Sequence, residues 1–273
     1  MKKMTQRARR TTIALVAATA IGGGGVAVGA AAATPPSAAP SATAPSTASV
    51  PAASGGERAS YADVVREVLP SVVLIKTAEG LGSGVVLDDS GDIITNAHVA
   101  GDATTFQVEV ATDPAPRAAR LVGADPSEDL AVIRVSDPSG LAPARFGDSA
   151  RAQAGDVVLA IGNPLGLSGS VTSGIISATG RAVTQPASVG RPAATLPDVL
   201  QTSAPINPGN SGGALVTTAG DVIGIPTLTA AGSQGGSTIQ GIGFAIPSNL
   251  ARDVAQQIIS QDGSPAGAQQ GIQ

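Results

Sequence analysis

From Val72 onward the apolar positions fall into short runs rich in Val and Ile, cut by Gly, Pro, Asp and Asn. Runs of that length and composition predict strands rather than helices. Val72–Lys76, Ser83–Leu87, Asp92–Asn96, Thr105–Val110, Arg117–Val122 and Leu130–Val135 form a first set. The turn Asp89-Ser90-Gly91-Asp92 between two of them is a hairpin signal. Val157–Ile161, Gly169–Ser177, Val199–Thr202, Gly213–Thr217, Val222–Pro226 and Gly241–Ala245 form a second set. Six strands suffice to close an antiparallel barrel. The predicted fold is all-β: two six-stranded antiparallel β-barrels, over about 71–148 and about 155–247.

Helical spacing marks the flanks. Ser60 can cap a short helix with Asp63 in the capping-box position, and Tyr61, Val64, Val65 and Val68 repeat at helical intervals before Pro70. At the other end Ser248 precedes Leu250, Val254 and Ile258, an amphipathic helix to about Gln261, which Gly263-Ser264-Pro265 breaks. Residues 262–273 are expected to be a flexible tail. Between Thr34 and about Arg58 the apolar pattern disappears into Pro, Ala, Ser and Thr, a composition that predicts a disordered linker. Residues 1–33 begin with Lys2, Lys3, Arg7, Arg9 and Arg10 and continue as the apolar stretch Ile13 to Ala33. With Ala31 and Ala33 offering a cleavage site, this reads as a signal peptide of an exported protein. Its length also suits a membrane anchor, but Gly22 to Gly25 would make a poor one.

Charge and composition then remove several function classes. Residues 1–33 carry five positive charges and no negative one, so without them the net charge moves from −4 to about −9. An acidic chain with one tyrosine, three phenylalanines and no tryptophan lacks the charge and the stacking rings of a nucleic-acid binder. One histidine and no cysteine leave neither a zinc site nor a disulfide framework. No cofactor is expected.

The chemistry concentrates at Gly209-Asn210-Ser211-Gly212-Gly213. Glycines there let the backbone turn tightly and let consecutive N–H groups converge on one point, as a developing oxyanion requires. An isolated G-x-S-x-G is more often a plain glycine turn, so the reading depends on a base. The single histidine, His98, is the one imidazole available. A carboxylate partner can come from Asp125, Glu128 or Asp129 at the mouth of the apolar run Leu130–Val135, and spacing does not choose among them. Chain order is more informative. The α/β-hydrolase elbow also reads G-x-S-x-G but places its histidine after the serine, and none follows Ser211. Histidine, carboxylate, serine is the order of the two-barrel, chymotrypsin-like proteases.

Together, Thr95-Asn96-Ala97-His98-Val99, Asp129-Leu130-Ala131-Val132, Ala160-Ile161-Gly162-Asn163-Pro164-Leu165-Gly166-Leu167, Gly209-Asn210-Ser211-Gly212-Gly213 and Gly241-Ile242-Gly243-Phe244-Ala245-Ile246-Pro247 resemble the HtrA/Deg family of exported serine proteases. They lie in the family's order over roughly 60–260, and the resemblance selects Asp129 over its acidic neighbours. It implies a protease domain over 59–261 with His98, Asp129 and Ser211 as the catalytic triad, and an oxyanion hole at Gly209, Asn210 and Ser211. It places Ile206, Leu228 and Ile242 around the pocket for the residue before the scissile bond, which would favour small to medium aliphatic side chains. For Ile206 and Ile242 ordinary core packing is the competing reading.

The implied activity is endopeptidase cleavage of unfolded or damaged polypeptides through an acyl-enzyme. The alternative is a binding or sensor protein of the same fold whose triad is held misaligned. Family members use aromatic residues near Tyr61 to form trimers; the other reading is that Tyr61 anchors its helix to the barrel. The peptide-binding PDZ domains that commonly follow in the family are expected to be absent. Two departures bear on substrate affinity: Ser203 stands where an acidic residue is usual, and Pro226 stands in the strand expected to pair with substrate.

Overall fold

The first set of apolar runs becomes β1 (Val72–Lys76), β2 (Leu81–Val86), β3 (Asp92–Thr95), β4 (Thr105–Val110), β5 (Asp113–Asp125) and β6 (Leu130–Val135). They close into an antiparallel barrel in the order β1-β2-β3-β6-β5-β4. The second set becomes β7 (Val157–Gly162), β8 (Ser170–Gln185), β9 (Ala194–Thr202), β10 (Ala214–Thr217), β11 (Val222–Ala231) and β12 (Thr238–Pro247), closed as β10-β11-β12-β9-β8-β7. The computed structural model describes residues 60–262 except 79, 111, 164–169, 186–193, 208 and 232–237. The expected signal or anchor, the linker and nearly all of the expected tail lie outside the described residues.

Several strands outrun their apolar cores. β8 and β9 pair from Ile176↔Thr202 out to Gln185↔Ala194, with three register shifts, far past the predicted Gly169–Ser177 and Val199–Thr202. The ladder is made by backbone groups, so it continues wherever a partner strand runs alongside, whatever the side chains.

Three apolar clusters explain why the strands read as unbroken apolar runs. Val73 and Ile75 of β1 and Ile133 of β6 face into the first barrel, while Val158 and Ala160 of β7 and Leu215 of β10 face into the second. The alternate positions, Val72, Leu130, Val132, Leu159 and Ile161, point out of their own barrel and join a third cluster. That cluster draws on both barrels and on both flanking helices, so the strands at the junction are buried on both faces.

The helix α1 (Tyr61–Val68) has the predicted capping box: the Ser60 hydroxyl accepts from the Asp63 N–H, and the Asp63 carboxylate accepts from the Ser60 N–H. Val64 and Val68 are the buried positions that seat it; Tyr61 is 47% exposed, which corrects the reading of Tyr61 as its anchor. The single-turn α2 (Ala97–Ala100) carries His98, directly after the predicted strand Asp92–Asn96. α3 (Ser248–Asp262) buries Ala251, Val254, Ala255 and Ile258. A Cβ at Gly123 of β5 would stand 2.8 Å from Cγ2 of Ile258, so the missing side chain lets α3 lie close on the first barrel. Asp262 accepts hydrogen bonds from Arg120 and Arg134, and Arg134 also grips the buried Asp92 through two bonds of 2.7 and 2.8 Å.

Candidate active site

β3 ends at Thr95 and the chain turns at once into α2, which presents His98 from the first barrel. Asp129 sits just before β6, and β6 pairs with β3 through Thr95↔Ala131, so the ladder itself brings Asp129 beneath His98. Asp129 has φ +53, a left-handed conformation that aspartate tolerates better than most residues. Its carbonyl accepts from the Ala97 N–H at 3.0 Å and from Asn96 Nδ2 at 3.0 Å, which ties this bend to the start of α2.

The His98 ring meets Asp129 through Nδ1, at 2.8 Å from Oδ2 and 3.1 Å from Oδ1, and the His98 backbone N–H donates to Oδ1 at 3.0 Å. Thr227 of β11 reaches across from the second barrel and donates its hydroxyl to Oδ2 at 2.5 Å. The carboxylate is wholly shielded from solvent, while a quarter of the His98 side chain is exposed. Burial alone would push the Asp129 carboxyl up. The hydrogen bond and charge of His98, the Thr227 hydroxyl and the His98 N–H outweigh that and hold it below the usual aspartate value. With Nδ1 held by Asp129, Nε2 is the ring nitrogen left for proton transfer.

Neither competing carboxylate bonds to His98. Asp125 accepts from Ser127 and from the Glu128 N–H within its own turn. Glu128 is pushed up by burial and by the neighbouring Asp125 charge, and it makes no hydrogen bond to His98.

Ser211 comes from the loop before β10. Gly209 and Gly212 take φ of +105 and +80, and a Cβ on Gly212 would stand 2.3 Å from the Ser83 carbonyl oxygen, so glycine is required for this approach to the first barrel. Among the described residues neither the Gly209 N–H nor the Ser211 N–H has a hydrogen-bond acceptor, whereas the Asn210 N–H donates to the Asn207 carbonyl at 3.0 Å. The Asn210 side chain is buried, and both its polar atoms lack a partner among the described residues. The Ser211 hydroxyl points to the Thr227 carbonyl at 3.5 Å, a long contact, and makes no hydrogen bond to His98.

Around the expected pocket, Ile206 is 5% exposed within the second barrel's cluster, and a Cβ on Gly243 would stand 2.5 Å from its Cγ1. Ile242 packs against the cluster between the barrels. Leu228 lies opposite Phe244 in the β11–β12 ladder, but its side chain is outside the described residues, as is Pro208. The Ser203 hydroxyl accepts from the Ile175 N–H at 3.0 Å, an engagement that needs no charge. Pro226 occupies a ladder position opposite Ala245 next to a register shift, and its carbonyl accepts from the Gly212 N–H at 2.9 Å.

Sequence reasoning missed Thr227 and Ser83. The only signal for Thr227 is a hydroxyl, one of two with Thr229, inside a largely apolar strand. Ser83 is flagged faintly by its two glycine neighbours, Gly82 and Gly84.

The sequence profile of the trypsin-like peptidase domain matches residues 82–225. Over 180 residues, 66% of this chain and 36% of the relative, the chain is 44% identical to the periplasmic serine endoprotease DegP of Escherichia coli (strain K12). It is 40% identical over 235 residues to the serine protease PepD of Mycobacterium tuberculosis, covering 78% of this chain and 49% of that protein. Among solved structures, the HtrA-type protease AlgW with tripeptide superposes with a TM-score of 0.65 at 43% identity, over 74% of this chain and 64% of that one. The chain thus spans between about a third and a half of the length of these two curated relatives.

Proposed function

Since the chain belongs to the trypsin-like peptidase family and is homologous to its HtrA-type members, we propose that it is an exported serine endopeptidase. The observation that carries this reading is the placement of the only histidine against a fully buried carboxylate, with a glycine-loop serine arriving from the other barrel. In this reading Ser211 Oγ attacks a peptide carbonyl, and His98 Nε2 takes its proton and returns it to the leaving amine. Asp129 holds the ring in the tautomer with Nδ1 protonated and stabilises the imidazolium that forms. The Gly209 and Ser211 N–H groups receive the oxyanion, each donor contributing about 3 kcal/mol in the transition state.

An apolar pocket at Ile206 and Ile242, with Leu228 as its third expected residue, is proposed to take small to medium aliphatic side chains. Unfolded polypeptides are the proposed substrates, because an extended chain can enter the cleft between barrels. Residues 1–33 act as export signal or tether and 34–58 as linker; the periplasmic relative supports export. The exposed Tyr61 is the proposed site of trimer contact.

A second reading has its own support: the Ser211 hydroxyl turned toward Thr227 is the geometry of a latent triad, as in a sensor that awaits a ligand. Treatment of the full chain with a fluorophosphonate, read by intact mass, separates the two. A single adduct, lost in both Ser211→Ala and His98→Ala, is the outcome expected of a competent peptidase. No adduct on folded protein would favour the latent state.

A further inference from the structure

We propose that Ser83, in the middle of β2, is a positioning residue that sets the oxyanion donors of the Ser211 loop. This inference rests on the peptidase reading above. Ser83 is fully buried at the seam between the barrels and bonds to the loop twice. Its hydroxyl donates to the Gly209 carbonyl at 2.5 Å and accepts from the Asn163 N–H at 2.8 Å, and its backbone N–H donates to the Ser211 carbonyl at 3.0 Å.

These bonds act on the peptide planes that matter. The Gly209 carbonyl and the Asn210 N–H belong to one peptide group, and that group is pinned at both ends, by Ser83 and by the Asn207 carbonyl. On either side of it lie the Gly209 and Ser211 N–H groups, the two without an acceptor among the described residues. Gly209, at φ +105 and without a Cβ, has little steric resistance to rotation of this peptide. What holds it is therefore the pair of hydrogen bonds, one of which is the Ser83 hydroxyl. That hydroxyl is itself oriented by the Asn163 N–H, which occupies its acceptor side and leaves its proton for Gly209.

The test compares wild type, Ser83→Ala and Ser83→Cys with a stability control, Ile133→Val, in the core of the first barrel. kcat and KM are measured on one peptide substrate, with inhibition by a peptide boronate, which occupies the oxyanion site, and by a product-like peptide, which does not. Ser83→Ala is expected to lower kcat roughly tenfold to a hundredfold, the scale of a misplaced oxyanion donor, with KM within about twofold. Boronate affinity should fall in parallel while product affinity holds. Ser83→Cys, a weaker donor of similar size, should fall between, and Ile133→Val should keep kcat. Unchanged kcat in Ser83→Ala, or equal losses for boronate and product, overturns the proposal. If Ser83→Ala does not fold, Ser83→Cys decides: full kcat overturns the proposal, and a parallel loss of kcat and boronate affinity supports it. A folded wild type with neither turnover nor fluorophosphonate labelling overturns the peptidase reading, and this inference with it.

Discussion

At Asp129, burial and hydrogen bonding pull in opposite directions, and the hydrogen bonds win. That balance ties the site to the stability of the fold. A carboxyl held below its unfolded value contributes stability that is fully present above the unfolded pKa, near 4, and is lost as the pH falls through the folded value. Chemical denaturation of wild type and Asp129→Asn should therefore show a steeper acid loss in the wild type below about pH 4. Equal slopes would mean that the carboxylate is not held as described. The same substitution removes the anion that selects the Nδ1–H tautomer, so kcat should drop by about 10⁴ while KM changes little. A loss of under tenfold would argue against Asp129 as the group that orients His98.

At the scale of elements, the approach of α3 to β5 depends on one absent side chain. Gly123→Ala should cost about 1 kcal/mol because the new methyl meets Ile258, and Ile258→Val should cost a similar amount by loss of packing. Together they should cost less than their sum, since the smaller residue vacates space the methyl needs. Strict additivity in denaturant melts would show that the helix simply shifts. The helices and strand cores were legible from spacing alone, as the Ser60 cap and the alternation along Val72–Ile75 illustrate. The long β8–β9 extension was not, because backbone ladders continue past the apolar residues that periodicity detects.

For the whole molecule, the apolar cluster shared by both barrels and both flanking helices is the main mechanical fact. Leu159 lies in it, 1% exposed, and Leu159→Ala should cost about 2–5 kcal/mol. Because β6 and β7 both face that cluster, their slowest-exchanging amides should lose protection together in hydrogen exchange. Loss confined to β7 would mean that the barrels unfold independently. The site spans the same seam, with His98 and Asp129 on one barrel, Ser211 and Thr227 on the other, and Ser83 bonding across it.

The sequence by itself determined the β-barrel architecture, the flanking helices and the short roster of groups able to do acid–base chemistry. Alternation, caps and glycine turns are local, and a lone histidine leaves no rival imidazole. It left Asp125, Glu128 and Asp129 equal on spacing, and it passed over Ser83 and Thr227 as ordinary strand residues. Family resemblance had pointed to Asp129, but only the tertiary structure supplied the contacts that give these residues their places, because each is defined by a partner far along the chain. Asp129 meets His98 across the β3–β6 ladder, Thr227 meets Asp129 between barrels, and Ser83 meets Gly209 at the same junction. A hydrogen bond needs distance and direction, and neither exists until the strands have closed.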